Sequence, residues 1–141
     1  MTAFSACCTV TLTITADNAA YVYHNGAVVL SSIAWTRADD VSLENACVLA
    51  VKAVDSGDYV GILASTSTGV VSDASWKCSS VHKPGWHMAS FDDSAWSRAD
   101  VIGQHGDVRW YTITGIDARA KWIWAAGVRI NSIVYCRKTL C

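Results

Sequence analysis

Between Thr9 and Thr15 the chain alternates without exception, with Val10, Leu12 and Ile14 on one side and threonines on the other. A period of two specifies a strand with one face buried and the other wetted. No stretch of the 141 residues repeats apolar positions at helical spacing over three turns. Short apolar runs recur instead, about ten residues apart, with turn formers between them, and that pattern predicts an all-β sandwich or barrel.

The remaining strands are placed by the same reasoning. Tyr21-Val22-Tyr23 and Ala27 to Leu30 flank His24-Asn25-Gly26, where Asn-Gly is a strong hairpin signal. Trp35 to Asp40 reads as a polar loop around one aromatic. Ala46 to Val54 reads as a strand, with Cys47, Leu49 and Val51 facing in and Lys52 facing out. Asp55 to Asp58 is a turn, Tyr59 to Ser65 a strand, and Gly69 the tip of a hairpin returning through Val70-Val71. Gly103 to Asp107 reads as a loop, Trp110 to Thr114 as a strand, and Lys121 to Ala125 and Val128 to Cys136 as the closing strands.

The middle of the chain, Ser72 to Trp96, holds Trp76, Trp86 and Trp96, two of the four histidines and the only proline. An acidic turn followed by an aromatic occurs there twice, as Asp73-Ala74-Ser75-Trp76 and as Asp92-Asp93-Ser94-Ala95-Trp96. Each reads as a turn capped by its own polar side chains, with a large ring anchoring the loop to a core. These two segments, with Ala16-Asp17-Asn18, Asn25-Gly26, Phe91, Trp122-Ile123-Trp124-Ala125 and Tyr135-Cys136-Arg137-Lys138-Thr139, occur in order from residue 9 to 139. In that order the set resembles the galactose-binding-domain-like modules, especially the non-catalytic ones of α-L-rhamnosidases and related glycosidases. The resemblance implies an antiparallel jelly-roll β-sandwich over the single domain 1–141. It also implies buried rings at Trp76, Trp96, Trp122 and Trp124, the last two read as a packed pair on one strand face.

Composition narrows the classes. The chain is 52% hydrophobic and 16% charged, which excludes a disordered one. Acidic and basic residues are mixed at a net charge of −1, so no basic run marks a nucleic-acid partner. The longest apolar runs are far too short to span a bilayer, so no membrane insertion is expected. Six cysteines, Cys7, Cys8, Cys47, Cys78, Cys136 and Cys141, contain no Cys-x-x-Cys pair and read as disulfides formed in an oxidising compartment. Met1 to Cys8 lacks the order of a signal sequence, so the chain is taken as a mature or recombinant form of a secreted protein.

Spacing alone leaves all 15 connectivities of six cysteines open. In the modules resembled, the first and last strands lie side by side. This would bring Cys7 or Cys8 to Cys136 or Cys141 and leave Cys47 with Cys78. One of Cys7, Cys8 and Cys141 is then free to pair between subunits.

Catalysis is not expected. Two carboxyls must face one sugar ring from about 5 to 10 Å apart, whereas Asp92-Asp93 and Asp39-Asp40 are chain neighbours whose side chains diverge. No Gly-x-Ser-x-Gly nucleophile turn is present either. Cys78, His82 and His87 have a spacing that zinc tolerates, but no fourth ligand is evident. Asp17, Asn18, Asp55 and Asp58 offer hard oxygens on turns, suited to a structural calcium and equally to ordinary turns.

Binding is the better use of the loops. Lys83-Pro84-Gly85-Trp86-His87 presents an indole platform on a stiff turn, with His82 and His87 to take hydroxyls. A second cluster, Gln104-His105-Gly106-Asp107 with Arg109 and Trp110, sets a carboxylate and a guanidinium fork beside a ring. Tyr21, Tyr23 and His24 form a weaker third. The expectation is a secreted lectin for galactose-type glycans, using His82, Trp86, His87, His105, Asp107, Arg109 and Trp110. A shallow single site gains avidity in a homodimer or homotetramer. The competing expectations are an extracellular structural or protein-binding module, and an accessory fragment of a glycosidase.

Overall fold

The computed structural model describes residues 7–57 and 59–141. Among these residues eleven strands are formed: β1 (Cys8–Asp17), β2 (Ala19–His24), β3 (Ala27–Ser32), β4 (Asp39–Ala46), β5 (Val48–Val54), β6 (Gly61–Thr66), β7 (Lys77–Ser79), β8 (Ser97–Arg98), β9 (Asp100–Gln104), β10 (Lys121–Trp124) and β11 (Ile133–Thr139). They build two antiparallel sheets, one in the order β4-β1-β6-β10-β9 and the other β3-β2-β5-β11-β7-β8. The protein is a disulfide-stapled all-β sandwich. No helix among the described residues is long and apolar enough to cross a membrane.

Alternation drives the packing. Val10, Leu12 and Ile14 of β1 face the second sheet, where Leu49, Val51 and Val134 meet them. Asn25 and Gly26, with φ of 52° and 82°, make the two-residue turn of the β2–β3 hairpin. The strand β4 begins at the end of the expected loop Trp35 to Asp40 and runs through residues 41–45, for which the sequence suggests no element. Its Asp40 and Glu44 are exposed while Leu43 and Ala46 are buried, and the acids blunt an edge strand. The stretch 110–114, expected as a strand, is a turn: Trp110 and Tyr111 both donate their amides to the Asp107 carbonyl.

Both sheets are also covered on their outer faces. On the first sheet, residues 105–120 pack Trp110, Ile113 and Ile116 over Leu63 and Trp122. On the second, residues 80–96 pack Trp86 and Trp96 over Ala50 and Tyr135. The expected pairing of Trp122 and Trp124 on one face is corrected by a bulge between Trp122 and Ile123. It turns Trp122 out to stack on Trp110, with ring centroids 4.3 Å apart, and sends Ile123 and Trp124 into the central core. Gly61 is required opposite that ring, because a Cβ there would lie 2.6 Å from Trp122.

The cysteines form Cys7–Cys47, Cys8–Cys141 and Cys78–Cys136, and none is free. A bridge from Cys8 to the C-terminal segment agrees with expectation. The pairing of Cys47 with Cys78 does not, because Cys78 sits directly opposite Cys136 across β7 and β11. Nor do β1 and β11 lie side by side; they belong to opposite sheets, which Cys8–Cys141 joins. All three bridges are within the chain, so no cysteine is left to link subunits.

Candidate functional site

The loop 80–96 is held from below by one side chain. Arg137 projects from the outer face of β11 and is 3% exposed. It donates Nε to Asp93 at 3.0 Å, Nη1 to the carbonyls of Trp86 and Met88 at 2.7 and 2.9 Å, and Nη2 to that of Phe91 at 3.2 Å. The Phe91 ring lies 5.2 Å from the guanidinium. Successive turns fix the same carbonyls, with the amides of Trp86, Met88 and Phe91 bonding back to Lys83, Gly85 and Met88. A planar fork suits this diverging set of oxygens better than an ammonium. The acidic turns close as the sequence suggests: Ser75 and Ser94 donate their amides to Asp73 and Asp92, and Trp76 and Trp96 are buried. The bonds from Ser94 hold the Asp92 carboxyl below its ordinary range.

This loop changes the role of Trp86. The expected exposed platform is 3% exposed, edge-on to Tyr23 and Tyr135 at 5.2 and 5.0 Å. Its apolar ring covers the sheet and leaves water to its neighbours. His82 is exposed and meets Tyr135 edge-on at 5.4 Å. His87 stacks on Tyr23 at 5.2 Å. It lines a cleft of about 180 Å³ with Tyr23, His24, Asn25, Asn45 and Met88. The disulfide residue Cys47 completes one wall, and Asn45, with φ of 51°, turns the chain there. His24 spends Nε2 on the Glu44 carbonyl at 2.9 Å, while the buried Nδ1 of His87 has no partner. Among the described residues the only other such atom is Nε1 of Trp122.

The second expected cluster is closed on itself. Asp107 accepts the amide and Nε of Arg109 through one oxygen and its Nη2 through the other, at 2.9 to 3.0 Å. That pairing pulls the Asp107 carboxyl down to about 2. Arg109 also donates to the Ile102 carbonyl and lies 4.4 Å over Trp110. Asp117 and Arg119 repeat the arrangement, with Asp117 likewise lowered to about 2. His105 donates Nδ1 to the Asp117 carbonyl and accepts the Ile113 amide at Nε2. Trp110, the other expected platform, is 1% exposed and donates Nε1 to Asp17 at 3.0 Å. Burial raises the Asp17 carboxyl, the Trp110 bond opposes this, and the Asp55 charge adds to it. His105, Asp107, Arg109 and Trp110 therefore brace a loop, and their polar groups are already occupied.

That loop exposes two large apolar side chains, Val108 and Tyr111 at 82% and 68%, and Tyr59 lies 6.0 Å from the Arg109 guanidinium. Of the oxygens considered for calcium, Asp17 accepts from the Trp110 ring, and those of Asn18 and Asp55 serve the backbone. Asp55 takes the amides of Gly57 and Asn131, and Asn18 takes that of Ser56. Asp58 lies outside the described residues, among which no cluster of three potential metal ligands occurs. Cys78, weighed for zinc, is in a disulfide. Sequence reasoning missed Asn45, Met88 and Arg137. Asn45 carried no visible signal because β4 itself was unread; Arg137 was legible only as a charge within an apolar closing strand.

The comparisons place no known protein beside this fold: no family model, curated protein or solved structure matches the chain.

Proposed function

We propose that this chain is a non-catalytic extracellular lectin of the galactose-binding-domain-like kind, taking a compact saccharide in the cleft of Tyr23, His24, Asn25, Asn45 and His87. One observation carries the reading. His87 lines the cleft beside a stacked ring and two asparagine amides, and its buried Nδ1 has no protein partner. Buried polar atoms are rarely left unpaired, and a ligand hydroxyl would satisfy this one once the imidazole turns it toward the cleft. A small concave site with one aromatic wall and a few polar groups suits a sugar ring. Three disulfides fit an oxidising compartment outside the cytosol. A site this small binds weakly alone, which favours a homodimer or homotetramer.

His87→Phe tests the assignment, because it keeps a ring on Tyr23 and removes the nitrogens. Glycan-array signal should fall at least about tenfold, the value of one or two lost hydrogen bonds, with the melting temperature unchanged or raised. Undiminished sugar binding would refute the site. A second reading rests on a separate observation: Tyr59, Val108 and Tyr111 are exposed around the self-paired Arg109. A protein-binding module would use that surface, and silence on the array with loss of one protein partner in Tyr111→Ser would support it.

A further inference from the structure

The net charge of −1 conceals a sharp division between the two sheets. The strands of the second sheet carry Lys52, Lys77, Arg98, Arg137 and Lys138 and not one aspartate or glutamate. Those of the first carry Asp17, Asp39, Asp40, Glu44 and Asp100 against the single Lys121. One broad side of the molecule is therefore cationic, although the sequence shows no basic run. Such a field draws anions toward that face from a distance and repels them from the other.

Most of those cations are occupied. Arg137 holds the covering loop, and Arg98, Lys77 and Lys138 donate to the Ala74 and Trp96 carbonyls and to Ser75. Lys52 is the exception. It takes part in no ion pair and no cation–π contact among the described residues, the latter all being made by arginines. Its neighbours Val51 and Ala53 point into the core, so Lys52 stands on the outer face in the middle of the sheet. Tyr21 of β2 and Tyr135 of β11 lie directly opposite it on either side. Facing residues on adjacent strands hold their Cβ atoms about 5 Å apart. The two hydroxyls are not among the buried orphaned atoms, and His82 closes the row from the loop above Tyr135. Lys52 is half-buried, so water screens its charge less than on an open surface.

We infer that the Tyr21–Lys52–Tyr135 row is an anion subsite, and that the saccharide bound is an acidic one, carrying a carboxylate or a sulfate. This rests on the lectin reading above and names its ligand class. The row lies two residues along the strands from Tyr23 of the cleft, about 7 Å away. A disaccharide is long enough to bridge that step. The half-buried Tyr21 takes the apolar edge of a sugar and Lys52 its charged group, while Tyr135, buried under Trp86, backs the row.

The test is titration calorimetry with three probes: N-acetyllactosamine, its sialylated form and its 6-sulfated form. The acidic forms should bind at least about tenfold tighter than the neutral one, the worth of a charge-assisted hydrogen bond, and the advantage should shrink with added salt. The better acidic probe also tells carboxylate from sulfate. Lys52→Met should remove the acidic advantage without lowering neutral binding or the melting temperature, and Lys52→Arg should keep most of it. Equal affinity for all three probes, or an unchanged preference in Lys52→Met, overturns the subsite while leaving the lectin reading intact. Silence from all three, with His87→Phe indistinguishable from the parent on a full array, overturns the lectin reading instead. Lys52-dependent capture by phosphatidylserine vesicles without acidic-sugar binding makes the face a membrane contact and also refutes the inference.

Discussion

Replacing Arg137 by methionine should detach the loop 80–96 and lower stability by about 3 to 5 kcal/mol, the cost of breaking a buried charge pair from one side. Methionine fills the volume of the stem, so the loss is polar. The Trp86 carbonyl is left buried without a donor, at about 1 to 3 kcal/mol. The carbonyls of Met88 and Phe91 are partly buried and can recover water, costing about 0.5 to 1.5 kcal/mol each. Asp93, with a side chain 23% exposed, loses its ion pair but can turn outward. These contributions overlap, since one loop movement relieves several of them, and the range above is the expected outcome rather than their total. For a chain of this size the melting temperature should fall by roughly 10 to 20 °C. Arg137→Lys should recover less than half, because an ammonium cannot reach all four oxygens in their plane. Hydrogen exchange then distinguishes a local keystone from general damage. The amides of Trp86, Met88 and Phe91 should lose protection while those of β1 and β6 keep theirs. A variant that melts within about 2 °C of the parent, with these amides still protected, would refute the reasoning.

Two further outcomes follow from the bridges and the paired carboxylates. Intact mass under denaturing, non-reducing conditions should show no free thiol, and peptide mapping should recover Cys8–Cys141, whose ring spans 133 residues. Opening it alone should cost about 4 kcal/mol in the chain-entropy account, since the other two bridges already shorten the loop it closes, and a map joining Cys47 to Cys78 would contradict the structure. Asp107 and Asp117, both held near 2 by their arginines, bind protons less readily folded than unfolded. Their contribution to stability is complete above the unfolded value of about 4 and is lost as the pH falls toward 2. Arg109→Gln should flatten that acid limb in thermal melts at low salt, and an identical limb in the variant would remove these pairs from the account.

The sandwich was legible because its evidence is local. The alternation in Val10-Leu12-Ile14, the Asn25-Gly26 turn and the two acidic turns before Trp76 and Trp96 each specify their geometry within a few residues. The misread elements depend on partners far away. β4 needs β1 beside it to justify burying Leu43 between the exposed Ser42 and Glu44. The bulge at Trp122 answers to Val101 and Gly103 on β9. Polar loops surround Trp86 and Trp110 in sequence and suggest exposed rings, yet those loops fold back over the sheets and use the rings as their undersides. Of the expected site residues, His87 lines the cleft and His82 stands by the Lys52 row, while His105, Asp107 and Arg109 are consumed in bracing. Charge segregation between the sheets escaped notice because acids and bases alternate along the chain and separate only when the strands are dealt into two layers.

Arg137 grips the carbonyls of Trp86, Met88 and Phe91, and a carbonyl is the same in every amino acid. Trp86, Phe91, Asp92, Asp93 and Trp96 in that segment are held by what their side chains are. The exposed positions Val81, Lys83, Met88 and Ala89 can therefore drift without loosening the anchor. A lineage built on this sandwich could exchange the surface it shows to ligands at almost no cost to its folding. Sister proteins would then differ most around the cleft and least at a single arginine beneath it.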